Sequence, residues 1–347
     1  MPGAGPTLVV LSAAIALFAA LTVLFALVTI LLRVANTRRA RLWAALEARW
    51  EARVLDVLAG DAAPEQVHRL VGPRETLFFV DFLLRFQRRV RGSERDVVSA
   101  LAAPYLDAVA AQLRLRSPER RARAVQTLSR LGAGRYADAV VRALDDASPL
   151  VAMVAARALA RGGDPARAAE VLPRLHRFAG WSPRYLASLL VGMGAEAAPA
   201  LCDYAGDAAN PAAVRAVAVD ALRMLHDLPA VDVAAALLGA TRDRELRAAC
   251  LRLLGALGRT EHLPRARALL GDGDAVVRAM ATRAVGALGG AADLADLRRA
   301  LDDPSPWVAI EGAGGLRTAG GADILRTVAG SDHPRAVLAQ QALRSAA

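Results

Sequence analysis

Lysine is absent from this sequence: all 44 basic residues are arginine, set against 34 acidic residues and 5 histidines, for a formal net charge of +10. In a chain so rich in alanine and glycine this is a compositional bias. The positive balance alone therefore argues little for nucleic acid as a partner. Only 4% of the residues are aromatic. The two cysteines, Cys202 and Cys250, are single thiols in predicted helices, which excludes a disulfide scaffold and offers no nucleophile signature. Such thiols pack as small hydrophobes. His68, His176, His226, His262 and His333 stand far apart with no cysteine or histidine at metal-ligand spacing, so no zinc site is readable. Gly271-Asp272-Gly273-Asp274 has the opening of a calcium loop but lacks its later ligands. Neither a phosphate-binding Gly-Lys-Ser/Thr loop nor a Gly-x-Ser-x-Gly elbow occurs. No catalytic, cofactor or metal residue is read, and the chain is expected not to be an enzyme.

What is present is a period. Gly132, Gly163, Gly194, Gly258, Gly289 and Gly320 fall at steps of 31, 31, 64, 31 and 31 residues, and the long step is two units whose middle stop is His226-Asp227. Repetition at this length means stacked supersecondary units, each with room for two helices of about three turns. The most regular copy runs from Asp274 to Gly289, with Val277, Ala281, Ala284, Val285 and Leu288 spaced as one helical face. Asp274 stands at the cap position. Ser117-Pro118, Ser148-Pro149, Ser182-Pro183, Asn210-Pro211, Ser305-Pro306 and His333-Pro334 place proline at the first helical position of other units. A second amphipathic helix, as in residues 137–144 or 292–301, ends in acidic turns such as Asp145-Asp146 and Asp302-Asp303. The unit is helix A, acidic turn, helix B. The fold expected is all-α: an α-solenoid of such hairpins over residues 117–347, about seven units with the last one partial.

Asp243 with Arg247 and Asp274 with Arg278, each followed by an alanine-rich core and Leu-Gly, make this region resemble the short bacterial HEAT repeats also found in bilin-lyase-like proteins. The resemblance covers residues 117–347 and departs at residues 181–194 and at His226. It implies that these Asp and Arg side chains are hydrogen-bonded between helices and adjacent units, a structural role. Tetratricopeptide repeats compete poorly, because their 34-residue period and paired aromatics are missing.

Residues 7–32 carry no charge and are rich in Leu, Val, Ala and Ile. As a helix of about 39 Å they exceed a hydrocarbon core of about 30 Å, which predicts one transmembrane helix. A cleaved signal peptide needs a basic start, and residues 1–6, read as a short external tail, contain no Lys or Arg. Arg33, Arg38, Arg39 and Arg41 follow the span at once. The positive-inside rule then places the amino end outside and the repeats in the cytoplasm. Residues 33–130 hold 19 Arg against 11 acids, whereas residues 131–347 hold 25 against 23. The excess lies beside the membrane, where an anionic leaflet attracts each such residue by about 1 kcal/mol. Arg33, Arg38, Arg39 and Arg41 are the candidate anionic-lipid contacts.

Residues 33–116 read as a basic helical juxtamembrane and capping region. Trp43, Leu46, Trp50, Val54 and Val57 share a helix face; the two tryptophans fit either lipid headgroups or a cap over the first apolar face of the solenoid. Residues 74–90 hold Leu77, Phe78, Phe79, Phe82, Leu83, Leu84 and Phe86, interrupted by Asp81 and Arg85, so this is a core helix and not a second span.

Projection of each B helix at 100° per residue sets Arg157, Val219, Leu251, Arg252 and Arg283 opposite the core stripe, with Arg223 and Arg317 one turn further on. These residues are the candidate partner-binding groove, suited to an acidic, amphipathic protein segment. Trp181 and Trp307, each beside a Ser-Pro start, are expected to staple against neighbouring units. Three functions follow. One is a membrane-tethered scaffold or adaptor binding a protein partner at the inner face of a bacterial membrane; proteins this chain resembles imply assembly or regulation of a membrane enzyme of the envelope glycosyltransferase kind. The second is a HEAT-like enzyme of the bilin-lyase or DNA-glycosylase sort, which the missing catalytic constellation opposes. The third is a nucleic-acid or lipid binder acting through residues 33–130, with nucleic acid disfavoured.

Overall fold

The computed structural model describes residues 4–132, 134–161 and 165–344, without the side chains of residues 4–10, 12, 14, 39 and 165. The Gly163 stop, residues 1–3 of the tail and the Arg39 side chain thus lie outside the described residues. Every regular element among those described is a helix. The chain divides into two compact units, residues 1–111 with 130–133, and residues 112–129 with 134–347.

The first unit is built from α1 (Ala4–Ala59), α2 (Pro64–His68), α3 (Thr76–Phe86), α4 (Ser93–Ala102) and α5 (Leu106–Ala111). α1 changes character along its 56 residues. Its apolar part has an 18-residue window of mean hydropathy 2.9 with none of it buried, long and apolar enough to cross a membrane by length and composition. Its last part is amphipathic. Leu46, Trp50, Val54 and Val57 recur at steps of 4, 4 and 3 and are buried, because that spacing keeps them on one face. Trp50 meets the rings of Phe79 at 5.1 Å and Phe82 at 5.8 Å. It is therefore core within its own unit and not a headgroup anchor. Trp43 packs edge-on against Phe78 at 4.6 Å, with the Arg85 guanidinium 5.0 Å from its ring centre. Arg85 to Glu47 (2.5 Å) and Arg89 to Glu51 (3.2 Å) repeat one ion pair a helical turn apart and set α3 against α1.

The second unit contains α6 (Pro118–Leu131, whose last two residues belong to the first unit), α7 (Ala137–Arg142), α8 (Pro149–Arg161), α9 (Ala168–Val171), α10 (Pro183–Val191), α11 (Ala198–Gly206) and α12 (Ala212–Leu225). It continues through α13 (Ala230–Ala240), α14 (Arg244–Leu257), α15 (Leu263–Arg267), α16 (Ala275–Leu288), α17 (Leu294–Leu301), α18 (Pro306–Thr318), α19 (Ala322–Ala329) and α20 (Ala336–Arg344). The even-numbered helices from α8 to α20 pack side by side in one row, and α9, α11, α13 and α15 form a second row. The helices of each row pack on their neighbours in sequence, which is the arrangement of a solenoid. The B helices of the sequence pattern are the even-numbered row.

The predicted face of α16 is largely the buried one: Val277, Ala281, Ala284 and Val285 are buried, while Leu288 in the last turn is half-buried. Two kinds of helix end hide behind the glycine stops. Gly194 and Gly320 have φ of 87° and 88°, a backbone that disfavours any side chain. Gly258 and Gly289 have ordinary φ of −69° and −86°. Glycine is required there by space, since a Cβ would stand 2.4 Å from the Leu254 carbonyl oxygen or 2.4 Å from the Asp293 carboxylate. His226, at the stop without glycine, takes the left-handed backbone itself, with φ of 58°. A β-carbon in that region costs about 1 to 2 kcal/mol, part of which glycine gives back as chain entropy. His226→Gly is therefore expected to stabilise the protein by about 0.5 to 1 kcal/mol, seen as a raised thermal midpoint; a lowered midpoint would show that the imidazole contributes more than the backbone costs.

The departure at residues 181–194 is a shortened unit. The A position is filled by a four-residue α9 followed by a seven-residue 3₁₀ stretch, Leu172–Phe178, and α10 has nine residues where α12, α14 and α16 have 14.

Candidate protein-interaction surface

The charged side chains of the second unit divide into those that fasten it together and those left to its surface. The Asp and Arg of the repeat signature act separately. Asp243 and Asp274 cap their own helices, accepting from the Leu246 (2.9 Å) and Val276 (2.8 Å) backbone N–H groups. The arginines reach onward. Arg121 binds Asp146 with two 2.8 Å hydrogen bonds, Arg247 binds Asp272 at 2.7 Å, and Arg278 binds Asp303 at 2.9 and 3.0 Å. All three acids lie 25 residues after their arginine and end the next A segment. Each guanidinium also donates backward to the carbonyl groups that close the preceding A segment: Leu115 and Arg116, Thr241, and Asp272 with Gly273. One side chain thus satisfies carbonyls at one helix end and an acidic turn at the next.

Arg215 keeps only the backward half, donating to the Ala205 carbonyl at 2.7 Å, since Ala240 occupies the position of its acid. At Ala152 and Ala309 the arginine is missing, and Arg177 and Arg335 from the following units take over the Asp146 and Asp303 carbonyls at 2.6 and 3.0 Å. Hydrogen bonding from Arg121 and from Arg278 holds the Asp146 and Asp303 carboxyls below the usual carboxylate range. Burial pushes the thiols of Cys202 and Cys250 up, to about 11 and about 12, so neither is an activated nucleophile.

Several of the candidate groove residues meet on the even-numbered row. Arg223, Leu251, Arg252 and Arg283, from α12, α14 and α16, line one depression of ≈ 330 Å³ with Gly255, Ala256 and Ala287. Four of the seven candidate groove residues thus come together. Leu251 is its floor and is fully buried. Val219 is not on this surface: only 1% exposed, it is core. Thr282, next to Arg283 in the chain, is also buried, with its hydroxyl donated to the Arg278 carbonyl at 2.8 Å. The physical reason is that each even-numbered helix is flanked on both sides within its row, so residues beside the solvent-facing line touch a neighbour.

Nor are the groove arginines free cations. Arg252 makes a two-pronged contact with Asp220, 32 residues earlier, at 3.0 and 2.7 Å; Arg223 approaches the same carboxylate at 3.5 Å, and Arg283 meets Glu311 at 3.6 Å. Arg157 is exposed on α8, apart from the depression, and Arg317 lines a second cleft on α18. In the first unit, Arg33, Arg38 and Arg41 are exposed on α1 and carry no ion pair among the described residues. Trp181 stacks on Tyr185 at 5.5 Å. Trp307 does not staple: it is 73% exposed. Among the described residues no cluster of three or more His, Cys, Asp or Glu could hold a metal ion.

Three of the units are tied at a 25-residue register. Residues 231–317 match the model for HEAT repeats. The matched segment runs from α13 to α18 and includes every residue lining the depression except Arg223. Among solved structures, the complex of CpcE and CpcF of phycocyanin lyase from Nostoc is 21% identical, with a TM-score of 0.33, covering 69% of this chain and 86% of that one. Human deoxyhypusine hydroxylase in complex with glycerol is 20% identical at a TM-score of 0.31, covering 72% of this chain and 100% of that one. An engineered protein is 17% identical at 0.36, over 78% and 84%. No activity is carried over from any of the three. No curated protein matches the sequence.

Residue by residue, the sequence conceals Asp220, Glu311 and the clasp acids as partners. A signal for the clasp does exist, because Arg at the fifth residue of a B start and Asp 25 positions later recur three times.

Proposed function

We propose that this chain is a membrane-tethered adaptor. The apolar part of α1 anchors it in a bacterial cytoplasmic membrane with the amino end outside. The HEAT-repeat row stands in the cytoplasm and docks a protein partner, in the manner of an assembly or regulatory factor for a membrane enzyme; the chain is not itself an enzyme. The observation that carries this reading is the contrast within α1: the apolar window has none of its surface buried, whereas Trp50 and Val54, further along the helix, are completely packed. An apolar surface of that length left in water would be strongly unfavourable, and lipid removes the cost. Support for docking comes from the small residues Gly255, Ala256 and Ala287 in the lining of the depression, which allow close approach of another backbone. Arg33, Arg38 and Arg41 supply unneutralised charge for an anionic leaflet.

A reporter active only outside the membrane, fused after Ala347, is expected to be silent, and the protein should stay with the membranes through an alkaline carbonate wash. Release by carbonate would remove the anchor, and an active reporter would reverse the topology. Purification of the full chain in mild detergent should bring down a defined protein partner. Turnover of a small molecule with no partner retained would replace the adaptor by an enzyme. Within the depression, Arg283→Glu is the milder variant, since Arg283 is 60% exposed and its contact with Glu311 is long, at 3.6 Å. Arg252→Glu would set two carboxylates together at Asp220 and confound docking with folding.

A further inference from the structure

α18 exposes Trp307, Ile310 and Arg317, with the half-buried Gly314 between them, at steps of 3, 4 and 3, which is one face of a helix. Trp307 is 73% and Ile310 45% exposed, and Val337 on the adjacent α20 is 72% exposed. Beside this stripe, between α18 and α20, lies a cleft of ≈ 220 Å³ lined by Ile310, Gly314, Arg317, Leu338, Gln341 and Ala342. Its lining is apolar except for Arg317 and Gln341. None of the lining residues is acidic, and Arg317 carries no ion pair among the described residues. This distinguishes it from the depression on α14, where Asp220 and Glu311 already answer the arginines. The volume lies below the roughly 300 to 1,000 Å³ of small-molecule sites, so it suits one or two inserted side chains and not a metabolite. An exposed tryptophan beside an apolar slot is the composition of a binding hot spot, and Gly314 lets another backbone come close. The unanswered guanidinium specifies the complementary charge.

We propose that the α18–α20 cleft docks an acidic amphipathic helix of a protein partner, with an apolar side chain against Trp307, Ile310 and Leu338 and a carboxylate on Arg317. The proposal rests on the adaptor reading and narrows it to one end of the row.

The probe is a 14-residue fluorescein-labelled peptide with leucines at helical positions i, i+3, i+4 and i+7 and glutamates on its flanks. Its companion has lysine at every glutamate. Anisotropy is read against the full chain held in phosphatidylcholine nanodiscs. The glutamate peptide is expected to bind and the lysine peptide to bind at least tenfold more weakly. Trp307→Ala should weaken the glutamate peptide at least tenfold, whereas Arg283→Glu should change it less than twofold. Arg317→Glu should reverse the preference in favour of the lysine peptide, a gain that misfolding cannot produce. Failure of that reversal, or binding by neither peptide, overturns the cleft as the site for an acidic helix. Loss with Arg283→Glu and not with Arg317→Glu moves docking to the α14 depression, overturning this proposal and leaving the adaptor standing. A Trp307-dependent dimer in sedimentation would make the occupant a second copy and also overturn it. The adaptor itself falls only on the membrane and partner measurements above.

Discussion

Replacing Arg278 by alanine should destabilise the repeat region by about 2 to 4 kcal/mol and loosen its carboxyl-terminal end before the rest. The side chains of Arg278 and Asp303 are only 18% and 13% exposed. Truncation leaves the Asp303 charge, together with the Asp272 and Gly273 carbonyl groups, without the donor they share. In a solenoid, stability is a sum over units and the interfaces between them, so loss of a clasp between successive units weakens one interface and divides the cooperative transition there. Hydrogen exchange should show α17 to α20 opening at lower cost than α12 to α14, and a denaturant titration should broaden. The matched surface change, Arg283→Ala, removes one 3.6 Å contact from a side chain that is 60% exposed. It should stay within about 0.5 kcal/mol. Equal losses at the two sites would mean that the clasp is no stronger than an ordinary surface pair.

The same clasp makes a pH prediction. Hydrogen bonding by Arg278 lowers the Asp303 carboxyl, and Arg121 does the same for Asp146. A group whose folded value is depressed contributes stability that is fully present above its unfolded value, about 3.9, and lost as pH falls through the folded value. The difference between the protein and Arg278→Ala should therefore be constant at neutral pH and shrink below about pH 4.

Helix starts and stops are legible in this sequence because they are chemical: proline at the first position, Asp or Ser before it, glycine at the end. The core face of a B helix is legible as well, as Val277, Ala281, Ala284 and Val285 show. What a single helix cannot reveal is how deep its other faces lie. Val219, Leu251 and Thr282 stand opposite or beside the stripe on a wheel and are still buried, since the next helix in the row covers them. The candidate groove is legible to the same extent. Arg223, Leu251, Arg252 and Arg283 share a depression because their register repeats, but the pairing of Arg252 with Asp220 spans 32 residues and exists only once two units are stacked. Trp307 shows the reverse error: a neighbouring Ser-Pro start suggested a staple, and α18 turns the ring outward.

Three glycines near the end of the row separate close packing from open space, and their alanine variants should differ in sign. A Cβ at Gly286 would stand 2.5 Å from the Gly315 Cα, so α16 and α18 meet there backbone to backbone. The Thr318 hydroxyl donates to the Gly286 carbonyl across the same contact at 2.8 Å. On its other side α18 lies against α17, where a Cβ at Gly312 would be 2.7 Å from the Leu301 nitrogen. Alanine is favoured over glycine in a helix interior by about 1 kcal/mol, but a clash with backbone cannot be relieved by a side-chain rotation and costs about 1 to 3 kcal/mol or more. Gly286→Ala and Gly312→Ala should therefore lower stability, with the helices forced apart and the Thr318 bond broken in the first case. A Cβ at Gly314 would meet nothing within 4 Å, so Gly314→Ala should gain up to about 1 kcal/mol from propensity alone. Thermal midpoints of the three single variants test this directly. A gain at Gly286 equal to that at Gly314 would show that α16 and α18 are not in contact at that point, and with it would go the tight row on which the depression and the α18–α20 cleft are both built.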